Sequence, residues 1–241
     1  MTTTVLEAMN VTKVLGRGAG EVHALADVNL SLRGGELAML MGPSGSGKTT
    51  LLSVLGCMLM PTAGTVRVCG HSTEGADAER LAKLRRDYIG FIFQNYHLFH
   101  TMTAAENVQL ALDVRGHGGR YARSKAHEAL ARVGLEHKLS SYPGELSGGE
   151  QQRVAIARAI VSGPAAILAD EPTAALDGAN GQATMSILAA IARDSNRSVL
   201  VVTHDSRLAP FADRIISIED GRLVGEHRGD AGKPKLLSAR G

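Results

Sequence analysis

The residues Gly42, Pro43, Ser44, Gly45, Ser46, Gly47, Lys48 and Thr49 spell "GPSGSGKT" and match G-x-x-x-x-G-K-[ST] between an apolar run and a helix-like run. Glycines at that spacing let backbone N–H groups wrap phosphate oxygens, and the helix that follows adds the positive end of its dipole. In such a loop Lys48 reaches the β and γ phosphates of a nucleoside triphosphate and the Thr49 hydroxyl ligates Mg²⁺, with Thr50 beside them. The other half of the chemistry needs a carboxylate at the end of a hydrophobic strand. "AAILADEPT" supplies Asp170 there as metal ligand, and Glu171 next to it as the base that orients and deprotonates an attacking water. His204 closes the apolar run "SVLVVTH", at the strand ends where ligands bind in open α/β sheets.

A second stretch has only part of such a site. "LSGGEQQRVAIARA" opens with Ser147, Gly148, Gly149 and Glu150 on what reads as a helix N-terminus, a place that favours an anion, and it contains no lysine. A surface that cannot close around a nucleotide by itself can meet the loop of a second copy in a two-fold symmetric dimer. The segment by itself leaves open whose phosphate it would bind.

These groups need a sheet whose strands end on one side. "VLEAMNVTKVL" and "ADVNLSLRGGELAMLMG" alternate apolar and polar residues before a wholly apolar run, which predicts antiparallel strands leading, past Gly34 and Gly35, into a buried central strand. From Thr49 the spacing becomes helical, and the strand "VRVCG" follows. Beyond Gln94 strand signals stop, and "TAAENVQLALDVRG" and "RSKAHEALARVGLEHK" predict two helices. Strands return at "AAILAD", "SVLVVTH" and the hairpin "RIISIEDGRLVG", which turns at Asp220 and Gly221, with a helix around "GQATMSILAAIARD". The expected organisation is a discontinuous core of residues 1–93 and 156–226, a helical insertion of 94–155, and a polar, glycine-rich, mobile tail of 227–241.

Bulk composition narrows the partners. With 241 residues, 44% hydrophobic, the chain can bury a core without staples, and a net charge of +2 without a long basic run gives no footprint for nucleic acid. Cys57 and Cys69 are expected as small buried hydrophobes. The start lacks the pattern of a signal peptide, and the longest uncharged run, Thr49 to Val66, is broken by Pro61 and Gly64, so a cytoplasmic location is expected.

The motifs "GPSGSGKT", Gln94 in "FIFQN", "LSGGE", "ILADE", "AALD" and His204, in that order, resemble the ATP-binding subunit of an ABC transporter. The resemblance implies an α/β fold: a P-loop NTPase core, with a mixed sheet flanked by helices and an antiparallel β subdomain, plus an inserted α-helical subdomain. It also implies ATP and Mg²⁺ as cofactors, with Gln94 sensing metal and γ phosphate, His204 touching that phosphate, and Asp177 at the subunit interface. Ser147 and Gly149 would cap the partner's ATP. The implied assembly is a homodimer held peripherally on the inner membrane by integral-membrane permease subunits. "GEVHALADVNLSL" and "LFHTMTAAENV" resemble the branch of macrolide exporters, lipoprotein-release systems and the heterocyst glycolipid exporter, which implies export or extraction of an amphipathic, lipid-like substrate. In tripartite members a periplasmic adaptor and outer-membrane channel join through the permease; the alternative is a cell-division type of regulatory ATPase that transmits force without moving solute. Leu15 stands where relatives carry an adenine-stacking aromatic, so weaker adenine affinity and a modest preference for ATP over GTP are expected.

Overall fold

Strand-forming alternation opens the chain: β1 (Thr4–Leu15) pairs antiparallel with β2 (Val22–Arg33), and the turn at Gly35 (φ 85°) leads into β3 (Glu36–Met41). The structure, a computed structural model, describes residues 3–229 apart from 17 and 195. After α1 (Lys48–Leu55) come β4 (Ala63–Val68), β5 (His71–Ser72), α2 (Ala78–Tyr88) and β6 (Ile89–Ile92). The helices α3 (Ala104–Asp113), α4 (Gly119–Arg132) and α5 (Gly148–Ile160) follow in succession. β7 (Ala166–Asp170), α6 (Gly178–Ala192), β8 (Ser198–Val202), β9 (Arg214–Glu219) and β10 (Arg222–Arg228) complete the order.

Two sheets result, one antiparallel in the order β2-β1-β4-β5, the other in the order β10-β9-β3-β8-β7-β6. In the larger sheet β9, β3, β8, β7 and β6 run parallel, so their C-terminal ends share one edge, while β10 returns antiparallel. Strand periodicity divides the core. Leu37 and Met39 of β3 pack with α3, α4, α5 and α6, whereas Ala38 and Leu40 face β1, β2 and α1. A parallel sheet covered on both faces requires an unbroken apolar run, which is what "LAML" and "SVLVV" provide.

The helical part is fastened by one buried polar side chain. Asn107, fully buried on α3, accepts from the Phe99 N–H at 2.8 Å and donates Nδ2–H to the carbonyls of Phe99, Met102 and Thr103 at 3.0 Å each. Thr103 and Glu106 add a reciprocal capping box at the start of the same helix. Asn107→Ala removes the partner of the Phe99 N–H and of the Met102 carbonyl, while the Phe99 and Thr103 carbonyls keep the N–H groups of Met102 and Asn107, and it is expected to cost about 2 kcal/mol of unfolding free energy in urea titrations. A loss below about 0.5 kcal/mol would show that water replaces the amide.

Three differences from the sequence expectation have physical causes. α2 and β6 carry weak signals: α2 buries only Leu81 and Leu84 among its polar residues, and β6 is four residues long. α5 runs unbroken through residues 155 and 156, where a boundary between insertion and core is expected. β10 extends to Arg228, so His227 and Arg228 of the expected tail belong to a strand, and residues 230–241 lie outside the described residues. Both cysteines are free; Cys57 is buried, which pushes its thiol up to about 11, and Cys69 is half-buried.

Candidate functional site

The shared edge of the parallel strands assembles the first half of the predicted site. In register, Leu40 of β3 and Asp170 of β7 both lie opposite Val202 of β8, and Ile92 of β6 opposite Ala169. The loop after β3 depends on glycine. A Cβ at Gly42 would lie 2.1 Å from the Ile218 carbonyl oxygen, and one at Gly47 (φ 99°) 2.4 Å from that of Ala24. Gly47 caps α1 without a side-chain bond, so the first N–H groups of the helix keep their donors for an anion.

The Lys48 ammonium folds back over this loop, donating to the carbonyls of Gly42 at 2.8 Å and Pro43 at 2.6 Å. The next residue, Thr49, directs Oγ1 at the Asp170 carboxylate, 3.4 Å away. Burial raises the Asp170 carboxyl above the ordinary aspartate range and the Glu171 charge adds to this, while the Thr49 hydrogen bond and Lys48 oppose it. A hydroxyl and a carboxylate side by side are hard oxygen donors that suit Mg²⁺, which completes its shell from phosphates and water. Among the described residues no cluster of three or more His, Cys, Asp or Glu side chains forms a metal cage.

Glu171 leaves the strand in the left-handed region (φ 46°), a strained conformation for a residue with a Cβ, while its N–H donates to the Val202 carbonyl at 2.9 Å. Its carboxylate meets His204, with Oε1 2.7 Å from Nδ1. An ionised carboxylate only accepts, so Nδ1 carries the hydrogen and Nε2 is left for other partners. Lys48, Thr49, Gln94, Glu171 and His204 line one cavity of about 910 Å³, together with Pro43, Ser44, Gly45, Gly47 and Thr50. Gly42 and Ser46 do not line it: Gly42 packs on the Ile218 carbonyl, and Ser46 is buried.

The remaining predicted residues gather elsewhere. Ser147 caps α5, accepting from the Glu150 N–H at 3.3 Å, and the Glu150 carboxylate accepts from the Ser147 N–H at 2.8 Å. That backbone bond is the main reason the Glu150 carboxyl sits below its usual range; Lys138, 3.6 Å away, acts in the same direction. A Cβ at Gly149 would meet Asn180 Oδ1 at 2.6 Å, and one at Gly148 would meet the Tyr96 hydroxyl at 3.0 Å. Asp177 in turn caps α6 by accepting from the Asn180 N–H at 2.9 Å. The start of α5 thus packs, through Gly149, on Asn180 of the turn that Asp177 caps, and none of Ser147, Gly148, Gly149, Glu150 and Asp177 lines the cavity of Lys48.

Two supporting groups escape sequence reasoning. Arg158 on α5 donates to the carbonyls of Tyr96 at 2.7 Å and His97 at 2.5 Å, fixing the loop after Gln94. The Asp220–Gly221 turn borders the cavity, with the Gly221 N–H donating to the Ser46 carbonyl at 3.0 Å. "DG" signals a hairpin turn in the sequence, but its place beside the loop comes from β9 pairing with β3.

Comparison with known proteins adds to this geometry. Residues 25–174 match the family described as ABC transporter. Over 222 residues, 92% of this chain, the sequence is 45% identical to the macrolide export ATP-binding/permease protein MacB of Salmonella choleraesuis (strain SC-B67). Identity to MacB of Escherichia coli (strain K12) is 44%. The chain spans 34% of the length of these relatives. A dimeric structure of the ATP-binding cassette MJ0796, in a post-hydrolysis state bound to ADP and Pi, is 43% identical with a TM-score of 0.84, covering 92% of this chain and 98% of that one. CbiO1 from Clostridium perfringens, part of the transporter complex cbiONQ, matches with a TM-score of 0.83 at 26% identity, covering 95% and 89% of the two chains.

Proposed function

The chain belongs to the ABC transporter family, and from that premise we propose that it is an ATP-hydrolysing subunit that powers a separate membrane permease. The observation that carries this reading is the placement of Glu171 and His204 on the cavity that Lys48 and Thr49 enter from the phosphate loop. In this reading Lys48 exchanges the carbonyls of Gly42 and Pro43 for the β and γ phosphates. Glu171 orients the attacking water and takes its proton, and His204 holds that carboxylate through Nδ1 while Nε2 meets the γ phosphate. Thr49 and Asp170 would hold Mg²⁺ beside Gln94; bound there, the ion neutralises charge on the β and γ phosphates. Catalysis is then mainly positioning and charge stabilisation.

The second cluster completes the site in a two-fold dimer, where Ser147, Gly148 and Gly149 of one protomer cap the γ phosphate held by its partner. The Ser147 oxygen already accepts from Glu150, so its own proton is available to donate outward. ATP becomes part of the interface, with Asp177 alongside, and hydrolysis weakens it. The dimeric state described for MJ0796 supports this arrangement.

Among the described residues no helix is long and apolar enough to cross a membrane. We assign the membrane work, from the family, to a permease met through the helical part, with the chain peripheral on the inner membrane. The relatives named for macrolide export support export or extraction of an amphipathic substrate, with adaptor and outer-membrane channel joined through the permease. Phosphate release from ATP, measured with Mg²⁺ for the chain alone and for the permease complex, is expected to be abolished by EDTA. Absence of phosphate release in both settings would overturn the reading. In proteoliposomes, ATP-dependent flux of an amphipathic dye supports export, whereas turnover without flux favours force transmission.

A further inference from the structure

We infer that Arg158 is a positioning residue for Gln94, acting through two hydrogen bonds to a strained turn that begins two residues further on. The inference rests on the reading of Gln94 as the group beside the metal and the γ phosphate.

Gln94 lines the cavity of Lys48, yet among the described residues its side chain makes no hydrogen bond. Its place is therefore set by the backbone on either side. Before it lies β6, which ends at Ile92 and is held by pairing with β7. After it come Tyr96 (φ 59°) and His97 (φ 47°), consecutive residues in the left-handed region, where a side chain with a Cβ is strained. Such strain persists only where the surrounding structure holds the turn in place.

The hold comes from α5. Arg158 donates through Nη2 to the Tyr96 carbonyl at 2.7 Å and through Nη1 to that of His97 at 2.5 Å. A planar guanidinium serves two successive carbonyls at once, where an ammonium offers a point charge. The side chain is half-buried, burial pulls it below the ordinary arginine range, and among the described residues no carboxylate pairs with it. The two carbonyls are what compensate that cation for lost water. Tyr96 adds a second contact with the same helix, since a Cβ on Gly148 would lie 3.0 Å from its hydroxyl. Of the two members, α5 is the firm one: Val154, Ala155, Ile156 and Ala157 beside Arg158 are fully buried. Arg158 itself lines a different cavity, of about 420 Å³, and does not border that of Lys48. Its effect on a nucleotide must pass through the loop.

The test is Arg158→Ala in the full chain, read by hydrogen exchange and by kinetics. Amides of residues 94–98 are expected to exchange about tenfold faster or more, while those of α5 keep their protection. kcat for ATP hydrolysis is expected to fall about 10- to 100-fold, as for a misplaced group, with ATP affinity within about threefold because Lys48 is untouched. Since Arg158 works through Gln94, adding Arg158→Ala to Gln94→Ala should lower kcat no further. Arg158→Lys, which keeps the cation, is expected to give an intermediate loss and serves if the alanine variant does not fold. Faster exchange throughout α5, losses that multiply in the double variant, or an unchanged kcat beside an impaired Gln94→Ala overturns the inference. If Gln94→Ala alone leaves kcat unchanged, the reading of Gln94 fails instead, and the exchange measurement still decides whether Arg158 holds the loop.

Discussion

Glu171→Gln is expected to lower kcat for ATP hydrolysis by about 100- to 1000-fold, the range of a lost general base, while ATP affinity stays near that of the unaltered chain. The substitution is close to isosteric. Its amide oxygen still accepts from His204 Nδ1, now 2.7 Å from the carboxylate, and the left-handed turn at residue 171 makes no demand that glutamine fails to meet. What disappears is a group able to take a proton from water. Because ATP then stays bound, the variant is expected to accumulate as a dimer with ATP and Mg²⁺, read as a doubling of mass in light scattering. A variant with full turnover would remove Glu171 from the base role, and one that stays monomeric at saturating ATP would separate the phosphate site from dimerisation.

Lys48→Ala is expected to weaken ATP by about 100-fold or more, since two charge-assisted hydrogen bonds to phosphate, each about 1.5–3 kcal/mol, are lost together. Folding should change little, because the partners given up within the chain are the carbonyls of Gly42 and Pro43 at an open cavity. Lys48→Arg is not a conservative substitute: the planar guanidinium is larger and cannot fold over the loop as an ammonium does. Equilibrium dialysis against ATP measures the affinity, and circular dichroism checks the fold. Unchanged affinity in a folded variant would mean that Lys48 does not hold the phosphates.

The first half of the site is legible in the sequence for a simple reason. Asp170, Glu171 and His204 come at the ends of apolar runs and Lys48 on the glycine loop after another, and buried parallel strands with loops at one end bring such residues to one edge. The strand order that places β8 between β3 and β7 is set by pairing between segments far apart in the chain, and no local pattern announces it. The same holds for the Asp220–Gly221 wall, for Val22 opposite Leu15, and for Arg158 reaching the loop after Gln94. α2 was invisible for the opposite reason: its apolar stripe consists of Leu81 and Leu84 among charged residues, too little to distinguish it from a solvated loop. The isolation of Ser147 from Lys48 was legible as a puzzle, a helix start with glycines and no cation. The chain keeps them apart, with Ser147 exposed at the cap of α5, the helix whose Gly149 packs on Asn180.

The central claim, that each working site takes its phosphate loop from one protomer and Ser147 from the other, is tested most directly by mixing two inactive variants. Lys48→Ala destroys the loop half and Ser147→Arg the capping half, so homodimers of either have no complete site. A mixed dimer rebuilds one complete site, joining the loop of the Ser147→Arg protomer to Ser147 of the Lys48→Ala protomer. With random exchange of equal amounts, ATP hydrolysis should recover to about a quarter of the level of the unaltered chain, as half the dimers regain one of two equivalent sites. Recovery near that level is the predicted result. A mixture as inactive as its components, with exchange confirmed by tagged pull-down, would contradict the shared site.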